Sequence, residues 1–184
     1  MRGGPFVRAI ALRTAIGATA MSGAGYTAQY RDLRGTLPTN GEYPLRDMER
    51  VDAVVIHHTA TQGQTLRTMA EFHVERRGWQ GIGYHYAVGY DGVIYYLNDV
   101  ERRTNHTAGN NSRTIGIALV GNMERNAMPA AQRSSLIALV YYLREIYGTE
   151  HIHPHCHYSP TLCPGKGTHD AVEHLWDGTL NCKR

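Results

Sequence analysis

The sequence predicts an α/β fold: a central mixed β-sheet flanked by helices, in a single domain. Three observations carry this. Short apolar runs that end on turn residues alternate along the chain with stretches whose apolar residues recur at helical spacing. No internal repeat or low-complexity segment interrupts the alternation. The length of 184 residues allows one sizeable core and hardly two.

The elements follow in order. Arg2 and Arg8 precede AIALRTAIGATAM, a pattern that echoes a secretory leader, but Arg13 breaks the apolar run. The expected reading is an arm. From Tyr26 to Arg50, Gly35, Pro38, Gly41 and Pro44 among polar residues predict an extended lead-in that wraps the domain. Asp52 to His57 reads as a buried strand. Thr65 is placed to cap a helix reaching about Arg77, with Leu66, Met69, Ala70 and His73 on one face and Gly78 ending it. His73 on that face is expected in the core. Tyr84 to Val88 and Val93 to Leu97 read as strands joined at Tyr90-Asp91-Gly92. A polar loop then leads into a buried strand, Thr114 to Val120. Pro129 opens an amphipathic helix marked by Leu136, Leu139, Val140, Leu143 and Ile146, and Gly148 ends it. Asp170 to Trp176 reads as a short last helix.

The chemistry concentrates in HIHPHCHYSPTLCPGK, where four histidines and two cysteines fall within thirteen positions. Imidazole nitrogen and thiolate sulfur are the donors that tetrahedral zinc prefers. A distant partner stands in IHHTAT, where Val54-Val55-Ile56 ends on His57-His58; a strand with a histidine at its tip offers a rigid ligand. In an extended segment alternate residues share a face, so spacing alone nominates His151, His153, His155 and His157 equally. Cys156, Cys163 and Cys182 make an odd set, which argues against a pure disulfide framework. Whether Cys156 and Cys182 pair or stay reduced is open at this point.

Four motifs in order, IHHTAT, RGWQGIGYHYAVGYDGVIY, RTIGIALVGN and HCHYSPTLCPG, resemble the zinc N-acetylmuramoyl-L-alanine amidases. That group includes bacteriophage lysozyme-amidases and the peptidoglycan recognition proteins. The resemblance runs from about Asp47 to Asp177, which implies an amidase domain over residues 47–184 preceded by an arm and lead-in over residues 1–46. It implies a sheet flanked by helices with zinc in a surface cleft. It also breaks the tie among the histidines. The family ligand lies eight positions before the cysteine, which implies His155 and Cys163, and the first histidine of the IHH pair, which implies His57. His151, His153 and His157 are then expected as loop or supporting histidines, and His58 as a packed or hydrogen-bonded one. Tyr84 matches the family's active-site tyrosine. Thr161 stands where some phage amidases carry lysine and catalytic recognition proteins carry threonine. His106 resembles a histidine of the substrate groove, Asn110 and Asn111 would shape its rim, and Trp79 would stack on a sugar face or anchor the core.

The implied activity is hydrolysis of the amide between N-acetylmuramic acid and L-alanine, with Zn2+ as cofactor and bacterial peptidoglycan as partner. A recognition module that only binds wall fragments is the alternative; the presence of Cys163 beside both histidines weighs against it. No H-E-x-x-H occurs, which removes the commonest metalloprotease signature. A formal charge of +3 without a Lys/Arg run suits approach to an anionic polymer but provides no nucleic-acid motif. No stretch approaches the roughly 20 apolar residues of a membrane span. The expected place of action is the bacterial cell wall, for an enzyme of phage or bacterial origin.

Overall fold

The computed structural model describes residues 19–23, 26–178 and 182. The expected N-terminal arm lies mostly outside them. Among the described residues seven strands form one sheet in the order β1-β2-β5-β4-β6-β3-β7. They are β1 (Thr19–Gly23), β2 (Tyr26–Asp32), β3 (Ala53–His58), β4 (Tyr86–Val88), β5 (Ile94–Tyr96), β6 (Thr114–Leu119) and β7 (His151–Pro154). The β1–β2 and β4–β5 pairs are antiparallel and the remaining pairs parallel, so the sheet is mixed. Three α-helices accompany it among the described residues: α1 (Leu66–Arg77), α2 (Ala130–Tyr147) and α3 (Lys166–Val172). Among the described residues no helix is long and apolar enough to cross a membrane.

β3 is fully buried along its length because it lies between β6 and β7. Its two sides serve different cores. Val54 and Ile56 join Ile115, Ile117 and Leu119 of β6, Tyr86 and Val88 of β4, and the α2 residues Leu136, Leu139, Val140 and Leu143. On the other side Ala87 and Ala118 pack with Met69 and Ala70 of α1. The period of two therefore sorts the pair at the strand tip: His57 faces the α1 side and His58 the α2 side.

The helices begin and end where turn chemistry dictates. Thr65 and Thr68 exchange side-chain and backbone hydrogen bonds in a capping box at the start of α1. Gly78 and Gly148 close α1 and α2 in the left-handed conformation that glycine tolerates best. α3 starts four residues earlier than the sequence suggests and ends at Val172, followed by a 3-10 turn over Glu173–Leu175. The sequence hides it because Gly167 sits in its first turn. A Cβ there would lie 2.2 Å from the Asn126 carbonyl oxygen, so close backbone approach overrides helix propensity.

The lead-in is more than a wrapping. Its first part is β2, which pairs in parallel with β5 from Tyr30↔Ile94 to Asp32↔Tyr96. Beyond it the chain runs along the loops at 80–81 and 101–103. The Tyr43 hydroxyl donates to the Gly81 carbonyl, and backbone bonds join Asn40 to Gln80 and Arg46 to Glu101. The half-buried Arg46 guanidinium donates to the carbonyls of Val100, Asn111 and Thr114.

Leu139 lies at the centre of the larger core and is fully buried. Leu139→Ala is expected to lower the unfolding free energy by about 2–5 kcal/mol, read from urea denaturation of the two proteins; a loss below about 1 kcal/mol would mean that α2 is not the main cover of this face.

Candidate metal centre

The parallel register brings the two histidines together. Ile56 pairs with Pro154, the last residue of β7, so the residues that follow, His57 on β3 and His155 just beyond β7, lie side by side. Their rings lie 4.4 Å apart between centroids. His155 opens a 3-10 turn through His157, and the loop that follows folds back so that the Cys156 N–H donates to the Cys163 carbonyl. That closure sets the Cys163 Sγ 3.8 Å from His57 Nδ1. The donor atoms of His57, His155 and Cys163 all lie within 4.8 Å of one another. Tetrahedral zinc with bonds of about 2.0–2.3 Å separates its ligand atoms by about 3.3–3.8 Å, so the three donors surround a space of the right size.

The hydrogen bonds decide which nitrogen of His57 faces that space. The Thr114 carbonyl accepts from His106 Nε2 at 3.2 Å, so the other nitrogen, His106 Nδ1, is left as an acceptor. His57 Nε2 lies 3.2 Å from it and 3.4 Å from the Thr107 hydroxyl. The Thr107 hydroxyl lies 2.9 Å from the same His106 nitrogen; with His57 Nε2 as a donor to this pair, Nδ1 presents its lone pair toward Cys163. His106 fits flat against the sheet because Gly116 lies beneath it; a Cβ there would stand 2.5 Å from the ring. The loop holding His106 and Thr107 is tied by the Asn111 side chain, whose Oδ1 accepts both of their N–H groups.

Burial sets the charge state. It holds His57 well below the usual histidine range, aided by His155 and His106, and it lowers His155 as well. His106 is depressed to about 3 by burial. The imidazoles are thus neutral and able to donate lone pairs. Burial also pushes the Cys163 thiol up to about 12, although the His58 N–H donates to its sulfur at 3.4 Å. A thiol in this place ionises readily only when a cation shares the pocket. Two neutral nitrogens and one such sulfur fit a zinc ion.

The remaining expected residues divide. Tyr84 lies against the His57 ring at 5.3 Å, half-buried, and its hydroxyl is held well above its ordinary range by burial and by Cys163. The Thr161 hydroxyl accepts the Cys163 N–H at 3.2 Å, which leaves its own proton to donate elsewhere. His58 points away, with Nδ1 accepting from Met123 N–H. The resemblance places His106 at the substrate groove. In the structure its ring is buried behind His57 and held there by the hydrogen bonds just described. Asn110 uses its backbone carbonyl to accept from the Thr114 hydroxyl, and Asn111 rather than Asn110 organises the loop. Trp79 packs against His73 and over Gly83, while its indole remains partly exposed. His153 stacks between His151 and His157 and bonds the Tyr158 hydroxyl, on another side of the strand. Thr107, Asn111 and Gly116 have no role in the sequence reading that matches their place here; the asparagine-rich NHTAGNNS before a strand is the available signal.

A family model described as N-acetylmuramoyl-L-alanine amidase matches residues 47–166. The chain belongs to this family. An endolysin of Enterobacteria phage K11 is 30% identical over 117 residues, covering 59% of this chain and 77% of the phage protein. A peptidoglycan-recognition protein of Drosophila simulans is 33% identical over 132 residues, 66% and 72% of the two chains. An endolysin N-acetylmuramoyl-L-alanine amidase from Clostridium intestinale superposes with a TM-score of 0.68 at 30% identity, over 83% of this chain and 97% of that one. The amidase match spans β3 through the start of α3, and so includes His57, His155 and Cys163.

His155→Ala is expected to abolish zinc retention through gel filtration, whereas His153→Ala leaves it largely intact. His106→Phe keeps the ring volume but removes the acceptor for His57, and zinc affinity should fall about 10–100-fold, measured by competition with a chelating dye. Affinity unchanged by the phenylalanine would leave His106 a packing residue.

Proposed function

We propose that this chain hydrolyses the amide between N-acetylmuramic acid and L-alanine of bacterial peptidoglycan, with zinc held by His57, His155 and Cys163. The observation that carries the proposal is the convergence of those three donors beside Tyr84 and Thr161. Membership of the amidase family and the endolysin relatives support it. When bound, zinc supplies Lewis acidity toward a carbonyl and brings the pKa of water to about 7.

The chain's own groups do the rest. His57 Nδ1 and the Cys163 sulfur are held at fixed distance by the sheet and by the His58 N–H. The muramyl–alanine carbonyl would lie with its oxygen toward the Tyr84 hydroxyl. Because that hydroxyl stays protonated, it donates to the oxygen as negative charge develops there. Thr161 can donate from the other side with its remaining proton, more weakly than an ammonium would. The exposed Leu162 and the half-buried Trp79 are apolar surfaces for the glycan and stem peptide near the cleft. The reaction takes place at the cell wall, whether a phage or a bacterium makes the enzyme.

Peptidoglycan-recognition relatives make wall binding without cleavage the second reading. Cys163→Ser separates the two, because a hydroxyl is a poor zinc ligand at neutral pH while the groove is built from other residues. The serine variant is expected to bind wall fragments in a pull-down yet free no L-alanine amino groups. Zinc-loaded wild type that binds walls but also frees none would establish the recognition reading instead. Tyr84→Phe should retain zinc and fold and lose about 10²–10³ in turnover; full activity would remove the hydroxyl from the mechanism.

A further inference from the structure

A second set of metal-type donors lies outside the cleft. Cys156 and Cys182 are joined in a disulfide with Cα atoms 4.9 Å apart. His169 of α3 directs Nε2 at the Cys156 sulfur from 3.6 Å. Nitrogen and both sulfurs fall within 4.8 Å of one another. Cys156 and His169 are buried and Cys182 half-buried. A hollow of about 240 Å3 opens beside them, lined also by Glu124 and Lys166. The three donors come from three separate parts of the chain: the 3-10 turn after β7, the middle of α3 and the C-terminal segment.

We propose that Cys156, His169 and Cys182 form a second, structural zinc site when the disulfide is reduced, so that the C-terminal segment is tied to the 3-10 turn in both redox states. Reduction breaks the S–S bond and leaves two thiols: a phosphine supplies two electrons and becomes its oxide while water supplies the two protons and the oxygen, and a dithiol supplies both electrons and protons and becomes a disulfide. Zinc then displaces both thiol protons to solvent and takes two thiolates and the neutral imidazole. In tetrahedral zinc the two sulfurs stand about 3.8 Å apart, so they must separate by roughly 2 Å from disulfide bonding distance. Cysteine side-chain rotation at the half-buried Cys182 can supply that movement beside the hollow. The fourth place falls to water or to the Glu124 carboxylate. Donors of this softness select zinc over magnesium or calcium.

The site matters to the cleft because Cys156 is the neighbour of His155. A cross-link at Cys156 limits the motion of the turn that aims His155. An oxidising compartment provides it as a disulfide and a reducing one as a metal bridge. The proposal stands independently of amide hydrolysis, since its readout is metal content.

The experiment measures zinc per chain after gel filtration, with and without phosphine reduction under anaerobic conditions. Wild type should carry one zinc when oxidised and two when reduced. A Cys163→Ala variant, lacking the first centre, should carry none when oxidised and one when reduced, and cobalt in its place should give a thiolate charge-transfer band. Adding Cys182→Ser or His169→Gln to that variant should return the reduced protein to none. Circular dichroism with zinc present reports the fold in each case. A reduced protein that gains no metal, that unfolds with zinc present, or that keeps its extra metal after both substitutions overturns the proposal.

Discussion

The parallel seating of β3 between β6 and β7 is the constraint on which the centre depends. Each pairing fixes a different component. Pairing with β7 sets His155 beside His57. Pairing with β6 sets Ala118 opposite His57 and Gly116 two positions before it, which leaves room on that face for the His106 ring. A slip of one residue would send His57 to the α2 side and His58 to the cleft. The buried Val54 and Ile56 oppose that slip, because it would turn them out of the larger core. The hydrophobic pattern of the strand thus specifies which histidine is available for chemistry.

Dryness is the second condition. His57 and His106 are almost wholly removed from water, so both remain neutral and their protons are allotted by hydrogen bonds rather than by solvent. The Thr114 carbonyl starts the allocation and the lone pair on His57 Nδ1 ends it. Burial likewise holds the Cys163 thiol above its ordinary range, although its side chain is partly exposed. The donors are therefore organised by the fold itself, and the zinc proposed above would release a proton from Cys163 on binding. Pre-organisation of this kind limits what must be reordered when the ion enters.

The sequence makes some features plain and conceals others for physical reasons. β3, β6 and α2 are readable because their apolar patterns are uninterrupted, and glycine or proline marks the end of β6 and both ends of α2. The lead-in strand β2 is not, because YTAQYRD mixes polar with aromatic residues and gains its place by backbone pairing with β5. α3 is obscured by Gly167, whose reason is a distant carbonyl of Asn126. Among the four clustered histidines, period two offers no choice; the family motif nominates His155, and the β3–β7 register gives that nomination a geometric cause. His106 shows the converse limit. A histidine in a polar loop looks exposed on paper, and only the glycine on the neighbouring strand reveals the slot that buries it. The Cys156–Cys182 pairing joins positions 26 residues apart in sequence, which no local pattern encodes.

Arg46 stands one residue before the family-matched segment begins. Its guanidinium gathers the carbonyls of Val100, Asn111 and Thr114, and Thr114 is the same carbonyl that orients His106. The boundary of the family match and the boundary of mechanical completeness therefore do not coincide. A fragment trimmed to the matched residues would retain His57, His155 and Cys163 while losing the clamp beneath the histidine loop, along with β2 at the sheet's far side. In this chain the lead-in belongs to the architecture of the centre, although it contributes no atom to it.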